Sequence, residues 1–121
     1  MILRILPLAA LFAAALPAAA QPAAAPALTL EQRTMLRCSA TFALVANRRQ
    51  AGEKEALALP DVGPRGREYF VRAMASLMDA ARLDREAIAA LLAGEAQELS
   101  DSRTLYQAMP PCLAALEASG L

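Results

Sequence analysis

Three pairs of carboxylates are the residues in this chain best placed to do chemistry. Glu53 with Glu55, Asp84 with Glu86, and Glu95 with Glu98 each lie within one helical turn or less. Two such groups flanking a glycosidic bond can serve as acid and base. The pairs stand alone, however. The chain has no histidine, so neither a Ser-His-Asp nor a Cys-His arrangement can be assembled. Ser39, Ser76, Ser100, Ser102 and Ser119 therefore lack an obvious base, and Lys54 is the only lysine. The carboxylates are better read as solvated helix-face charges and helix caps. We expect no enzymatic activity, no catalytic residues, no metal site and no cofactor.

Cys38 and Cys112 are the two cysteines. Their meaning depends on the compartment, and the first residues speak to that. Met1-Ile2-Leu3-Arg4 is a short positive start, Ile5 to Leu16 is apolar, and Ala18-Ala19-Ala20 offers small residues before Gln21. This is the layout of a secretory signal peptide. The apolar run, bracketed by Pro7 and Pro17, is short for a bilayer span. We expect residues 1–20 to be a cleaved signal peptide, residues 21–28 a flexible Pro/Ala tail and residues 29–121 a single helical domain, periplasmic or secreted. No stable membrane insertion is expected after cleavage; retention of residues 1–20 as an anchor is the alternative. In an oxidising compartment, two cysteines in a small domain are most simply a Cys38–Cys112 disulfide. No C-x-x-C or C-x-x-C-H motif offers redox or haem chemistry instead.

Two surface features also call for a reading. Arg48, Arg49, Arg65 and Arg67, with Lys54, flank a Pro/Gly loop and could form a basic rim. Glu53, Glu55, Asp61 and Glu68 lie among them and cancel the charge. Met35, Met74, Met78 and Met109 could line an adaptable groove, although methionines more often fill a core. The segment from Asp84 to Met109 has a superficial helix-turn-helix look. A formal net charge of zero supplies none of the phosphate attraction that drives nucleic-acid binding, so no nucleic-acid partner is expected.

The elements that must hold these residues are helical throughout. Ala and Leu dominate, Trp is absent and aromatic residues are few, which suits close helix packing and lacks strand-favouring runs. Thr29 with Gln32 fits a capping box for a first helix over residues 30–50, with Met35, Cys38, Phe42 and Val45 on one face, widened by Leu44 and Ala46. Gly52 is its stop. A short helical stretch over residues 53–59 precedes the loop Pro60-Asp61-Val62-Gly63-Pro64-Arg65-Gly66. A second long helix follows from residue 64 or 65 to 81. Asp84 caps a third over residues 85–99, with Leu83 and Ile88 as a hydrophobic staple. Gly94 either weakens that helix or permits close packing. A short fourth helix capped by Ser100 or Asp101 should end at Pro110-Pro111. Pro111 should open a last short helix carrying Cys112, Leu113 and Leu116.

The expected fold is an all-α bundle of three main helices plus one or two short ones, closed by one disulfide. The expected function is binding, with another envelope protein as partner. The alternative is a periplasmic carrier or chaperone-like protein for lipid or unfolded chains.

Overall fold

Residues 27–121 are described by a computed structural model, and every regular element among them is an α-helix: α1 (Leu30–Gln50), α2 (Lys54–Ala58), α3 (Gly63–Ala80), α4 (Arg85–Glu98) and α5 (Ser102–Ala118). The proposed signal peptide and most of the Pro/Ala tail lie outside the described residues. The all-α bundle closed by one disulfide is observed.

The helix starts follow the capping chemistry. Thr29 Oγ1 accepts from Gln32 N at 3.1 Å and Gln32 Oε1 accepts from Thr29 N at 2.9 Å, a complete capping box. Asp84 and Asp101 accept from Ala87 N and Thr104 N at 2.7 and 2.9 Å. Leu83 and Ile88 are both buried in one apolar cluster with Leu36 and Leu77, as a hydrophobic staple requires. Gly52 ends α1 with φ of +78°, a left-handed conformation that a side chain would strain.

α1 is the central strut and packs against every other helix. Its middle is accordingly buried over most of its circumference. Cys38, Phe42 and Val45 are buried as expected, but so are Leu36, Ser39, Ala40 and Thr41, whereas Ala46 faces solvent. A one-sided stripe describes a helix covered from one side; α1 is covered by α3, α4 and α5 together. Thr41 Oγ1 satisfies itself on Arg37 O at 2.9 Å. Ser39 Oγ is buried with no hydrogen-bond partner among the described residues.

The C-terminal segment corrects the expected division into two short helices. Pro110 and Pro111 lie inside one continuous helix, α5. Each proline deletes one i→i−4 hydrogen bond, and a mid-helix proline costs about 3 kcal/mol. Both rings are exposed here, and the carbonyls left without donors, those of Tyr106 and Gln107, belong to half-buried and exposed residues within reach of water. The neighbours on the other face hold the helix in place: Leu105, Met109 and Leu116 are fully buried, and Cys112 is covalently fixed.

That fixation is the Cys38–Cys112 disulfide, with Cα atoms 5.1 Å apart and a sequence separation of 74. Both cysteines are 2% exposed and sit in the main apolar cluster with Phe42, Tyr69, Leu99, Leu105, Met109 and Leu116. The bond staples the middle of α1 to the middle of α5.

Candidate binding groove

Four of the six paired carboxylates are engaged in structural contacts. Glu95 and Glu98 share the guanidinium of Arg37, at 3.4 and 3.7 Å. Glu53 accepts from the Tyr106 hydroxyl at 2.8 Å and faces Arg48 at 3.7 Å. Asp84 is an N-cap. Glu55 and Glu86 are exposed. Glu95 and Glu98 both line an open cavity of about 500 Å³ with Arg33, Leu36 and Leu91, and among the described residues no group of three or more His, Cys, Asp or Glu side chains could hold a metal ion.

The arginines around the Pro/Gly loop likewise turn inward on the fold. Arg48 donates to Ser102 Oγ at 2.7 Å and Ser100 O at 2.8 Å, and its guanidinium lies 5.7 Å from the centre of the Tyr106 ring. Arg49 Nη1 donates to Ala56 O at 2.9 Å and Leu59 O at 3.0 Å, holding α2 and the start of the loop, while its Nη2 lies 3.5 Å from Asp61. Arg65 binds Glu117 at 2.7 Å and Leu121 O at 2.8 Å. Lys54 and Arg67 are exposed. The five basic groups do not form a continuous cationic rim. A cavity of about 430 Å³ does open beside the loop, between Phe42, Val62, Phe70, Arg49 and Arg67, but Arg49 at its edge is already committed to backbone carbonyls.

The methionines are mostly core. Met109 is fully buried, and Met74 and Met78 are half-buried against the apolar clusters. Met35 differs, because it lines a groove of about 740 Å³ between the first turns of α1, the middle of α3 and the end of α5. Leu30, Tyr69, Arg72 and Leu121 are other large side chains on its walls; Ala73, Ser76, Ala115, Ala118 and Ser119 are the small ones. Leu30 is 74% exposed beside it, a large apolar side chain left in water.

Tyr69 is the polar centre of this groove. Its ring packs edge-on against Phe42, centroids 5.4 Å apart. Burial, helped by the nearby Glu31 carboxylate, raises the Tyr69 phenol above its ordinary value of 10, so the hydroxyl stays protonated at neutral pH. Neither Tyr69 nor Glu31 was singled out by type or spacing as a candidate. Ala115, Ala118 and Ser119 fall at i, i+3 and i+4, a small-residue face whose spacing was legible within the helix expected from Pro111.

Fold and groove together define a small, disulfide-closed helical bundle with a largely apolar groove at its surface. No family model, no curated protein and no solved structure matches the chain. Among the described residues no helix is long and apolar enough to cross a membrane.

Proposed function

We propose that the chain is an exported, non-catalytic binding domain, periplasmic or secreted, that meets another protein of the cell envelope through the groove between α1, α3 and α5. The observation that carries this reading is the groove itself: about 740 Å³ of largely apolar space at a surface where Leu30 stands exposed. Cavities of this size and lining are the usual setting for recognition. The engagement of Glu53, Asp84, Glu95 and Glu98 in ion pairs, a hydrogen bond and a cap supports a binding role over a catalytic one. Export is supported by the layout of residues 1–20 and is consistent with the disulfide.

The test is site-specific crosslinking in intact cells. A photoreactive residue at Ala118, exposed at the end of α5 and lining the groove, is expected to give a discrete adduct with an envelope protein. The same residue at Ala89, exposed on α4, is expected to give none. Equal adducts from both positions, or none from Ala118, would count against the groove. Mass spectrometry of the chain from the envelope fraction is expected to find it beginning at Gln21. A chain found only in the cytoplasm, with Met1 intact, would remove export.

A further inference from the structure

The groove also carries information about its occupant. The longest wall is that of α3, about two helical turns, with shorter walls from α1 and α5. On α3 the lining residues Tyr69, Arg72, Ala73 and Ser76 fall at i, i+3, i+4 and i+7, one face about 10 Å long. Small side chains between the walls allow another backbone to come close. Leu30, Glu31, Thr34, Arg72, Ser76 and Ala118 are all exposed, so the groove is open along its length and does not enclose a ligand as an acyl-chain cavity would. This is the geometry of helix-in-groove recognition, in which an apolar helix face is laid into a trough.

Among the polar groups of the groove, Tyr69 and Glu31 have no partner among the described residues. Tyr69 is only 7% exposed, yet its hydroxyl makes no hydrogen bond, and it is not sealed off from solvent as Ser39 Oγ is. A phenol in that position offers a lone pair or a proton to whatever fills the groove. Glu31 is the second. The other charged side chain on the groove wall, Arg72, is paired with Glu68 at 2.7 Å, and neighbouring Arg65 is paired with Glu117. Glu31 has no ion pair among the described residues, which leaves an unpaired carboxylate on the groove wall that the phenol also lines. A fatty-acid carboxylate would meet repulsion there; an ammonium or guanidinium would find a carboxylate and a neutral oxygen acceptor.

We infer that the groove receives an apolar helical segment of another protein bearing a lysine or arginine at the border of its apolar face, with the cation placed at Glu31 and Tyr69. This rests on the groove being the binding surface. The probe is a fluorescently labelled synthetic helix of Leu, Ala and Gln with one border lysine, compared with counterparts carrying Gln or Glu at that position. Binding is read by anisotropy against the oxidised chain. The lysine helix is expected to bind roughly two- to fivefold more tightly than the glutamine helix, the scale of one exposed ion pair, and the glutamate helix more weakly than either. Glu31→Gln is expected to erase the lysine preference. Tyr69→Phe, which keeps the ring against Phe42, is expected to weaken the lysine helix by roughly two- to tenfold. Ala118→Trp is expected to abolish binding of all three.

Binding indifferent to the border charge, or a lysine preference that survives Glu31→Gln, overturns the inference. So does dodecylamine or palmitate binding to the groove where no helix does, because the occupant is then a lipid. If no helix binds while the Ala118 adduct persists in cells, this inference fails and the groove assignment stands. If Ala118→Trp leaves the cellular adduct of a neighbouring groove position unchanged, the groove assignment itself fails.

Discussion

Apart from the Thr29–Gln32 capping box, the surroundings of the two ends of α1 use their polar groups in different ways. At the C-terminal end, Arg48 and Arg49 reach across to α2, the loop and the start of α5, and their donors end on carbonyls, a hydroxyl and carboxylates of the same chain. Tyr106 there is bonded to Glu53. At the N-terminal end, Tyr69 and Glu31 line a groove and hold no such partners among the described residues. The two tyrosines make the contrast plain. Both phenols are raised chiefly by burial, but Tyr106 spends its hydroxyl on the fold and Tyr69 keeps its own available. Saturated polar groups stabilise the bundle; unsaturated ones beside an apolar groove are free to recognise something else.

Substitutions can break or sharpen that contrast. The largest effect should come from the tie common to both ends. Replacing both cysteines, Cys38→Ala with Cys112→Ala, is expected to cost roughly 4 kcal/mol in chemical denaturation, the chain-entropy value for a loop of this length. At the saturated end, Arg49→Ala is expected to cost about 1–3 kcal/mol, because buried or half-buried carbonyls of α2 lose their donor. Hydrogen exchange should show the loss concentrated in α2 and the loop. At the open end, Glu31→Gln is expected to stay within about 0.5 kcal/mol. A cost comparable to that of Arg49→Ala would mean that the two ends do not differ as described. Between them, Ser39→Ala removes a buried hydroxyl without a partner and is expected to stabilise by about 1 kcal/mol.

The weakest effects are in pH dependence, with one group near each end. The Asp101 carboxyl is lowered mainly by its hydrogen bond from Thr104 N. Its contribution is complete above the ordinary value of 3.8 and is lost as pH falls through the lower folded value. Asp101→Asn should therefore flatten the acid limb below that point and change little above it. The Tyr69 phenol is raised, so its contribution is complete below pH 10 and is lost as pH climbs through the folded value. Tyr69→Phe should flatten the alkaline limb. Denaturation midpoints across both ranges check the two signs.

Much of the scaffold was legible because it is written in local chemistry. The Thr29–Gln32 box, the Asp84 cap with its Leu83–Ile88 staple, and Gly52 each place a helix end within a residue or two. The disulfide followed from counting cysteines once export was inferred. What failed was tertiary in origin. Pro110-Pro111 is a strong local stop signal, and only the burial of Leu105, Met109 and Leu116 with the bond at Cys112 overrules it. The full burial of mid-α1, including Ser39 and Thr41, depends on three helices converging there. The groove was illegible for the same reason: Glu31, Tyr69 and Ala118 belong to three helices, and no spacing along the chain relates them.

The disulfide imposes an order of events on the making of the molecule. Both sulfurs end in the interior, at residues 2% exposed, with α2, α3 and α4 lying in the sequence between them. An oxidant or a disulfide-exchange catalyst needs access to a thiolate, and the finished core denies it. The thiols must therefore be joined while α1 and α5 are in contact but the surrounding side chains have not yet closed over them. A chain that completes its packing in the reduced state should resist later oxidation and must reopen before the bond can form. Assembly of this bundle thus depends on timing as well as on composition.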